Sequence, residues 1–500
     1  MNYKNPIIPG FHPDPSICRV GEDYYIVTSS FEFFPGVPIF HSRDLVNWRQ
    51  IGHCLTRESQ LALHGQSASA GIYAPTLRHH NGRFYMTTTN TGLGKHLIVW
   101  ADDPAGEWSE PVWIDKHGYM DPSLFFDADG RVYFTSFGNF GQSLIQTEID
   151  IQTGTRLSAT RELWPGTGGA SAEGPHLYKI NGFYYLLLGE GGTEYGHMVT
   201  LARSQTPWGP WEECPHNPIL TNRSRPGGIQ CIGHGDLVED HRGHWWMVCL
   251  GVRLNIGYPF FHTLGRETFL APVRWENGWP LVGDLDLGRH GRMLPDMAGD
   301  LLPLHPWAAP AVRDDFNDAA LGLAWNFLRN PRTEDWSLAT RPGCLRLNGS
   351  PITLDAPDSP AFVGRRQEHF KCIVRTRLEF KPQRDNEEAG LVAYMSPQHH
   401  YEIAVKGSRV IVRRRIGSLS AEVANVPAPA GPVTLSIVAE PQSYRFLLGD
   451  QALAEGETKF LSTEVAGGFT GVYFAMYATG NGLRSSTPAD FDWFDYEVVG

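Results

Sequence analysis

The sequence predicts an all-β protein, a five-bladed β-propeller followed by a C-terminal β-sandwich. Three observations carry that expectation. A unit of strand, tight turn and strand is written five times between residues 13 and 250. No stretch has the period-3.6 apolar spacing of an amphipathic helix. Beyond about residue 314 the repeat gives way to short apolar runs bounded by Gly, Pro and Asp, the texture of a sandwich.

The repeat opens at Pro13-Asp14-Pro15-Ser16-Ile17, Ala74-Pro75-Thr76-Leu77, Asp121-Pro122-Ser123-Leu124, Glu173-Gly174-Pro175-His176-Leu177 and His234-Gly235-Asp236-Leu237. Each opening is a polar or Pro-containing turn that runs into an apolar stretch. A turn glycine and an aromatic cluster follow: Gly21 with Tyr24-Tyr25, Gly82 with Phe84-Tyr85, Gly130 with Tyr133-Phe134, Gly182 with Phe183-Tyr184-Tyr185, and Gly243 with Trp245-Trp246. A period of roughly 50 residues is that of propeller blades, and radial packing brings the first strand of each blade to the central axis. Between the openings, passages such as Ser42-Arg43-Asp44-Leu45 and Asp102-Asp103-Pro104-Ala105-Gly106 place turns between short outer strands.

The propeller is expected over 1–296. A Pro-rich linker over 297–313, just after Pro295 and holding Pro303, Pro306 and Pro310, should lack regular structure. The sandwich is expected over 314–500, with strands at Val410-Ile411-Val412, Val433-Thr434-Leu435-Ser436-Ile437-Val438 and Tyr444-Arg445-Phe446-Leu447-Leu448. Its closing segment, Asp490-Phe491-Asp492-Trp493-Phe494-Asp495-Tyr496, alternates acid and aromatic residues, the pattern of a strand with one buried face.

A chain of 500 residues is too long for one core and should hold two or three domains. The formal net charge of -12 and the absence of a Lys/Arg run argue against nucleic acid and anionic membrane surfaces as partners. Seven scattered cysteines without a CxxC pair signal neither a zinc site nor a disulfide framework. The first residues lack the apolar core of a signal peptide, and nowhere do 18 apolar residues run together, so no membrane span is expected. The simplest placement is the reducing cytoplasm. Homo-oligomer formation is left open by the sequence.

Three acids occupy equivalent points of the repeat: Asp14, Asp121 and Glu173, in blades one, three and four. Axial convergence would place them in one pocket. Glycoside hydrolysis needs one carboxylic acid to protonate the leaving oxygen and one carboxylate on the other side of the sugar, roughly 6.5–9.5 Å away when water attacks directly. A third carboxylate near the acid would raise its pKa. One Asp-Pro-Ser alone is ordinary turn chemistry; three acids in register favour function. Arg266, in Gly265-Arg266-Glu267-Thr268, could bind sugar hydroxyls while pairing a carboxylate, or form an Arg–Glu surface pair. His234 could hold a buried water or ion, or be a satisfied core histidine. No GxSxG, P-loop, dinucleotide fingerprint or HExxH is present.

These motifs resemble glycoside hydrolase family 43, five-bladed propeller enzymes acting on fragments and side chains of xylan and arabinan. Phe11-His12-Pro13-Asp14-Pro15-Ser16 is similar to the family's general-base motif and Asp121-Pro122-Ser123-Leu124-Phe125 to its pKa-modulator motif. Ala172-Glu173-Gly174-Pro175-His176 is similar to its general-acid motif, and Gly265-Arg266-Glu267-Thr268-Phe269-Leu270 to the stretch whose arginine lines the terminal-sugar subsite. An appended jelly-roll, concanavalin-like sandwich is typical of the β-xylosidase branch, where it sends a loop to the active-site rim and closes the pocket at one end. The resemblance thus implies an exo-acting, inverting enzyme that releases terminal β-1,4-linked xylose from a small oligosaccharide. Phe469, in Gly468-Phe469-Thr470-Gly471, is the candidate loop aromatic, with a place in the sandwich core as the alternative. Phe31, Tyr73 and Thr193 would line the sugar pocket. His234 would lie on the axis beneath it, where some members hold calcium, although no cofactor is expected to be required. One departure stands out: Tyr73 precedes Ala74-Pro75 where many such β-xylosidases carry Trp. With Thr193-Glu194-Tyr195-Gly196-His197 it resembles members of mixed xylosidase and α-L-arabinofuranosidase activity, so a primarily arabinofuranosidase function is the nearest rival. A non-catalytic carbohydrate-binding propeller would keep the aromatics but would not need three acids in register. An interaction scaffold would show near-identical blades, and these diverge.

Overall fold

Strands account for about half of the computed structural model, which describes residues 1–114, 117–138, 143–255, 258–286 and 290–499. Among the described residues the helical pieces are one α-turn, Thr463–Ala466, and the 3-10 turns Thr333–Asp335 and Thr458–Leu461. Five four-stranded antiparallel sheets follow one another along the chain. They open at Ser16–Val20, Thr76–His80, Met120–Phe126, Glu173–Ile180 and Ile229–Glu239, and the fifth ends at Trp279–Val282. These opening strands touch in a closed ring, each against the next and the fifth against the first. That is a five-bladed propeller with the opening strands at the axis, as expected. The chain start ties the ring together: Asn2–Lys4 pairs with Asp296–Ala298, and Ile8 bridges Thr268 of blade five.

The predicted turn glycines lie between the first two strands of each blade. At Asn81-Gly82 both residues have positive φ, 51° and 78°, the geometry whose twist matches a two-residue hairpin and which Asn-Gly adopts with little strain. The aromatics after each turn pack between blades; Tyr25 meets Phe84 edge-on at 5.0 Å, and Tyr85 lies 5.1 Å from Phe126.

The C-terminal part is a sandwich of an eight-stranded and a six-stranded sheet. Its core is filled by residues such as Leu347, Val374, Leu391, Ile403, Phe446 and Phe474. The closing strand, Pro488–Val498, departs from the expected alternation. Its register against Cys372–Glu379 shifts between Thr376 and Leu378, so Phe491 and Phe494 both join the core. Asp490 and Asp495 are buried too, because Arg341 and Arg346 reach the first and Arg313 the second. The described segment 299–312 has no strand, yet it is held along blade one. His305 N–H donates to Asp44 at 2.6 Å, and Trp307 Nε1 donates to the Asn47 carbonyl under the guanidinium of Arg49.

Propeller and sandwich share an apolar seam. Phe33–Phe34 pairs as a strand with Phe327–Leu328, Phe33 stacks on Tyr473 at 3.9 Å, and Phe11 and Phe31 belong to the same cluster. Arg366 Nε donates to the Phe11 carbonyl at 2.7 Å. Since Phe33 is fully buried, Phe33→Ala should lose about 3–5 kcal/mol. In urea denaturation the expected result is an earlier transition in which the two parts unfold separately. A midpoint equal to wild type would show that the seam contributes little.

Candidate active site

The inner strands would continue straight past the axis if they were regular. They do not. Asp14 and Asp121 sit in the left-handed region at φ 54° and 53°, as does His234 at 45°. Register shifts interrupt blades three, four and five between Met120 and Ser123, Glu173 and His176, and Gln230 and Gly235. Bulges and left-handed residues re-aim side chains and are often found beside active sites. Gly174 has φ 57° and lies so close to His234 that an added Cβ would come within 2.8 Å of the ring. Its N–H donates to Asp121 Oδ2 at 3.1 Å.

All nine residues singled out from the sequence line one cavity of about 60 Å³. Asp14, Asp121 and Glu173 are there with Arg266 and His234, and Phe31, Tyr73, Thr193 and Phe469 complete the set. Phe469 is 38% exposed, at the rim rather than in the sandwich core, with its ring 5.9 Å from Phe31 and 6.2 Å from Tyr73. Arg266 is buried and does not pair with its neighbour in sequence. Its Nη1 donates to Asp14 Oδ1 at 2.8 Å and to Thr193 Oγ1 at 3.1 Å, and its Nη2 to the Phe469 carbonyl at 3.3 Å. Glu267 points the other way, to Arg253 and the Gly10 N–H.

Asp14 accepts a second bond from Ser29 Oγ at 2.5 Å. Burial, then the nearby Asp121 and Asp14, push the Glu173 carboxyl well above the usual range; Arg266 also acts on it, but its effect is the smaller one. Burial also pushes Asp121 up to about 6; His234 opposes this and Asp14 adds to it. The cavity therefore holds a carboxylate gripped by two donors and a protonated acid with a second carboxyl beside it.

Asp121, Glu173 and His234 each offer a ligand atom within 4.8 Å of the others, and His234 Nδ1 is 3.9 Å from Asp14 Oδ1. Calcium takes roughly six to eight oxygen ligands. Here two carboxyls supply oxygen and the third ligand is a nitrogen, so most of the ligands of a calcium ion would have to come from water; the chemistry below is derived from side chains alone.

Several participants had no sequence signal. Ser29, the donor to Asp14, is one of a run of small hydroxyl residues. Ser69 Oγ accepts the Phe469 N–H at 2.9 Å across 400 positions. Glu464 of the sandwich accepts from Tyr195 Oη and His262 Nδ1 at 2.9 and 2.8 Å. Burial disfavours its charge, but His262 outweighs burial and holds the carboxyl below its ordinary range. Met120 and Ala74 complete the lining.

Asp14, Asp121 and Glu173, gathered in one small pocket at the axis of a propeller, meet the paired-carboxyl requirement of a glycosidase. Residues 3–280 match the model of glycosyl hydrolases family 43, and residues 313–497 match the β-xylosidase C-terminal concanavalin A-like domain. The chain belongs to glycosyl hydrolase family 43. It is 46% identical to the non-reducing end α-L-arabinofuranosidase BoGH43B of Bacteroides ovatus, over 99% of this chain and 95% of that protein. It is 37% identical to a xylosidase/arabinosidase of Butyrivibrio fibrisolvens, over 99% of each. A solved structure described as Bacteroides ovatus xyloglucan PUL GH43B matches with a TM-score of 0.95 at 44% identity, over 100% of both chains. No helix among the described residues is long and apolar enough to cross a membrane.

The protonation of Asp121 should be visible in stability. Its value of about 6 lies above the ordinary 3.8, so folding takes up a proton there. The resulting stabilisation is complete below pH 3.8 and is lost as the pH rises through 6. Asp121→Asn, with no charge to bury, should be more stable than wild type at neutral pH by up to ~3 kcal/mol. The difference in urea midpoint should close on acidification; a pH-independent difference would refute the assignment.

Proposed function

We propose that the protein is an exo-acting, inverting glycosidase that releases the terminal non-reducing pentose of short oligosaccharides, β-1,4-linked xylose above all, with α-L-arabinofuranosides as a second substrate class. The observation that carries this reading is the pairing in one small pocket of Asp14, gripped by Arg266 and Ser29, with Glu173, kept protonated by burial and by Asp121. Glu173 is the general acid and gives its proton to the leaving glycosidic oxygen. Asp14 is the general base and takes a proton from the water that attacks the anomeric carbon from the opposite side. Asp121 keeps Glu173 protonated, and its bond from the Gly174 N–H fixes its place. Arg266, Thr193 and the aromatic rings of Phe31, Tyr73 and Phe469 hold the terminal sugar. Phe469 limits the depth of the pocket, which favours removal of one unit at a time.

A second reading, primarily α-L-arabinofuranosidase, has a specific observation behind it. By the family resemblance, Tyr73 stands where many β-xylosidases of this type carry Trp, and a relative covering nearly the whole chain is named for that activity. The two sugars offer similar hydroxyl patterns, and pocket contacts separate such pairs by only about 1–3 kcal/mol.

Rates on 4-nitrophenyl β-D-xylopyranoside and α-L-arabinofuranoside, measured side by side, name the preferred sugar. On poor leaving groups Glu173→Ala should lose at least ~10²-fold, with much less lost on the nitrophenyl substrates, whose leaving group needs no proton. Asp14→Ala should fail on both. Equal loss by Glu173→Ala on both substrate types would remove it from the acid role, and NMR detection of a product with retained anomeric configuration would overturn inversion. Because the acids work without a bound ion in this scheme, dialysis against EDTA should leave kcat within about twofold; loss restored by calcium would reverse that conclusion.

A further inference from the structure

The six-stranded sheet of the sandwich turns one face toward the propeller. Where the propeller covers it, that face is apolar: Val392, Tyr394, Tyr473 and Ala475 pack with Phe11, Phe31 and Phe33. Farther along the same strands the chemistry changes. Glu388, Glu402, His400, Arg413 and Tyr477 line a cavity of about 220 Å³, against about 60 Å³ for the catalytic pocket. The loop at Thr353 forms part of its wall, and Ser420 belongs to its lining.

Glu388, His400, Glu402 and Tyr477 are buried and Arg413 is half-buried, and the five are wired together. Arg413 donates to Glu388 Oε1 and Oε2 at 3.0 and 2.8 Å and to Glu402 Oε2 at 2.9 Å. The Tyr477 hydroxyl lies 2.7 Å from Glu388 and 2.6 Å from Glu402, and His400 Nε2 is 3.0 Å from Glu402 Oε1. Burial and the neighbouring Glu402 push the Glu388 carboxyl up, while Arg413 and Tyr477 oppose the rise.

Such a network is weak evidence of stabilisation, since apolar residues of similar volume hold a sheet as well or better, and the same face is apolar where the propeller covers it. The chemistry narrows the ligand. Among the described residues the one set of three ligand atoms close enough to share a metal ion lies in the catalytic pocket. Three acids, Asp355, Glu388 and Glu402, line the cavity against Arg413 and Lys406, and the surplus of acids disfavours an anion. A neutral polyol is matched: its hydroxyls can donate to carboxylate oxygens and accept from Arg413 and Lys406, which also line the cavity.

We propose that this cavity is a second saccharide site, holding one neutral pentose unit of an oligosaccharide outside the catalytic pocket. The choice of pentose rests on the reading of the catalytic pocket; the existence of the site does not. The test is titration calorimetry with xylotetraose and with α-1,5-arabinotriose on the full chain carrying Asp14→Asn, which leaves the probe intact. Ser420→Trp fills the lining without touching the buried network, and Thr353→Trp repeats the test from another wall should the first variant fail to fold. The expected result is two binding events for at least one probe. One of them weakens at least tenfold with either tryptophan, while nitrophenyl hydrolysis by the single Ser420→Trp enzyme stays within twofold of wild type. A binding isotherm unchanged by both tryptophan variants overturns the site. Failure of the catalytic reading looks different: no nitrophenol release, with tryptophan-sensitive binding intact.

Discussion

One buried guanidinium joins four parts of the chain at a single point. Arg266, from blade five, holds Asp14 of blade one and Thr193 of blade four, and it reaches the backbone of Phe469 in the sandwich. The rings of Phe31 and Phe469 lie 5.5 and 5.7 Å from its carbon. A charge this deep is expensive unless paired, and leaving a partner uncompensated is strongly destabilising. Asp14 and Arg266 therefore require each other, and their geometry requires the ring of blades to be closed and the sandwich to be docked. The pocket is a property of the assembled molecule rather than of the propeller alone.

The second constraint is local. A propeller delivers five strands to its axis, but a regular strand points alternate side chains along the barrel of blades rather than into a shared pocket. Left-handed backbone at Asp14, Asp121 and His234 and the bulges of blades three to five supply the change of direction. Such conformations are held only where surrounding structure over-determines them. Here the bonds from Ser29 to Asp14 and from Gly174 to Asp121 do so. Blade two, which opens with Ala74-Pro75 and has no acid at that point, contributes Tyr73 instead.

Much of this was legible in sequence because it is periodic. Strand, Gly turn and aromatic pair recur at the same offset, so an acid found at that offset in three blades must approach the axis in all three. The same logic failed where pairing is not periodic. Nothing near Arg266 distinguishes Asp14 from the adjacent Glu267 as its partner; only the closed ring does. Asp490 and Asp495 pattern as exposed because their arginines lie far away in the chain, at 341, 346 and 313. Ser69 and Phe469 meet across 400 positions, and two-residue alternation carries no information about which distant loop covers which rim. The polar cavity of the sandwich was hidden for the same reason: its members alternate with core residues along their strands and declare no shared site until the strands are set side by side.

The departure at Tyr73 has a structural consequence for sugar choice. The Tyr73 hydroxyl donates to the carbonyl of Ser69 at 3.0 Å, and Ser69, held at φ 60°, takes the Phe469 N–H on its own hydroxyl. Phe469 in turn gives its carbonyl to Arg266. Tyr73 is thus linked through three hydrogen bonds to the arginine that grips Asp14. A larger indole has its N–H at a different place and would not reproduce the bond to Ser69. Its effect would be felt as a shift of the Phe469 loop, hence of the pocket's depth, as much as by direct contact with the sugar. A β-D-xylopyranoside and an α-L-arabinofuranoside differ in ring size, so the position of the Phe469 loop, which this chain of bonds sets, bears on which of the two the pocket accommodates.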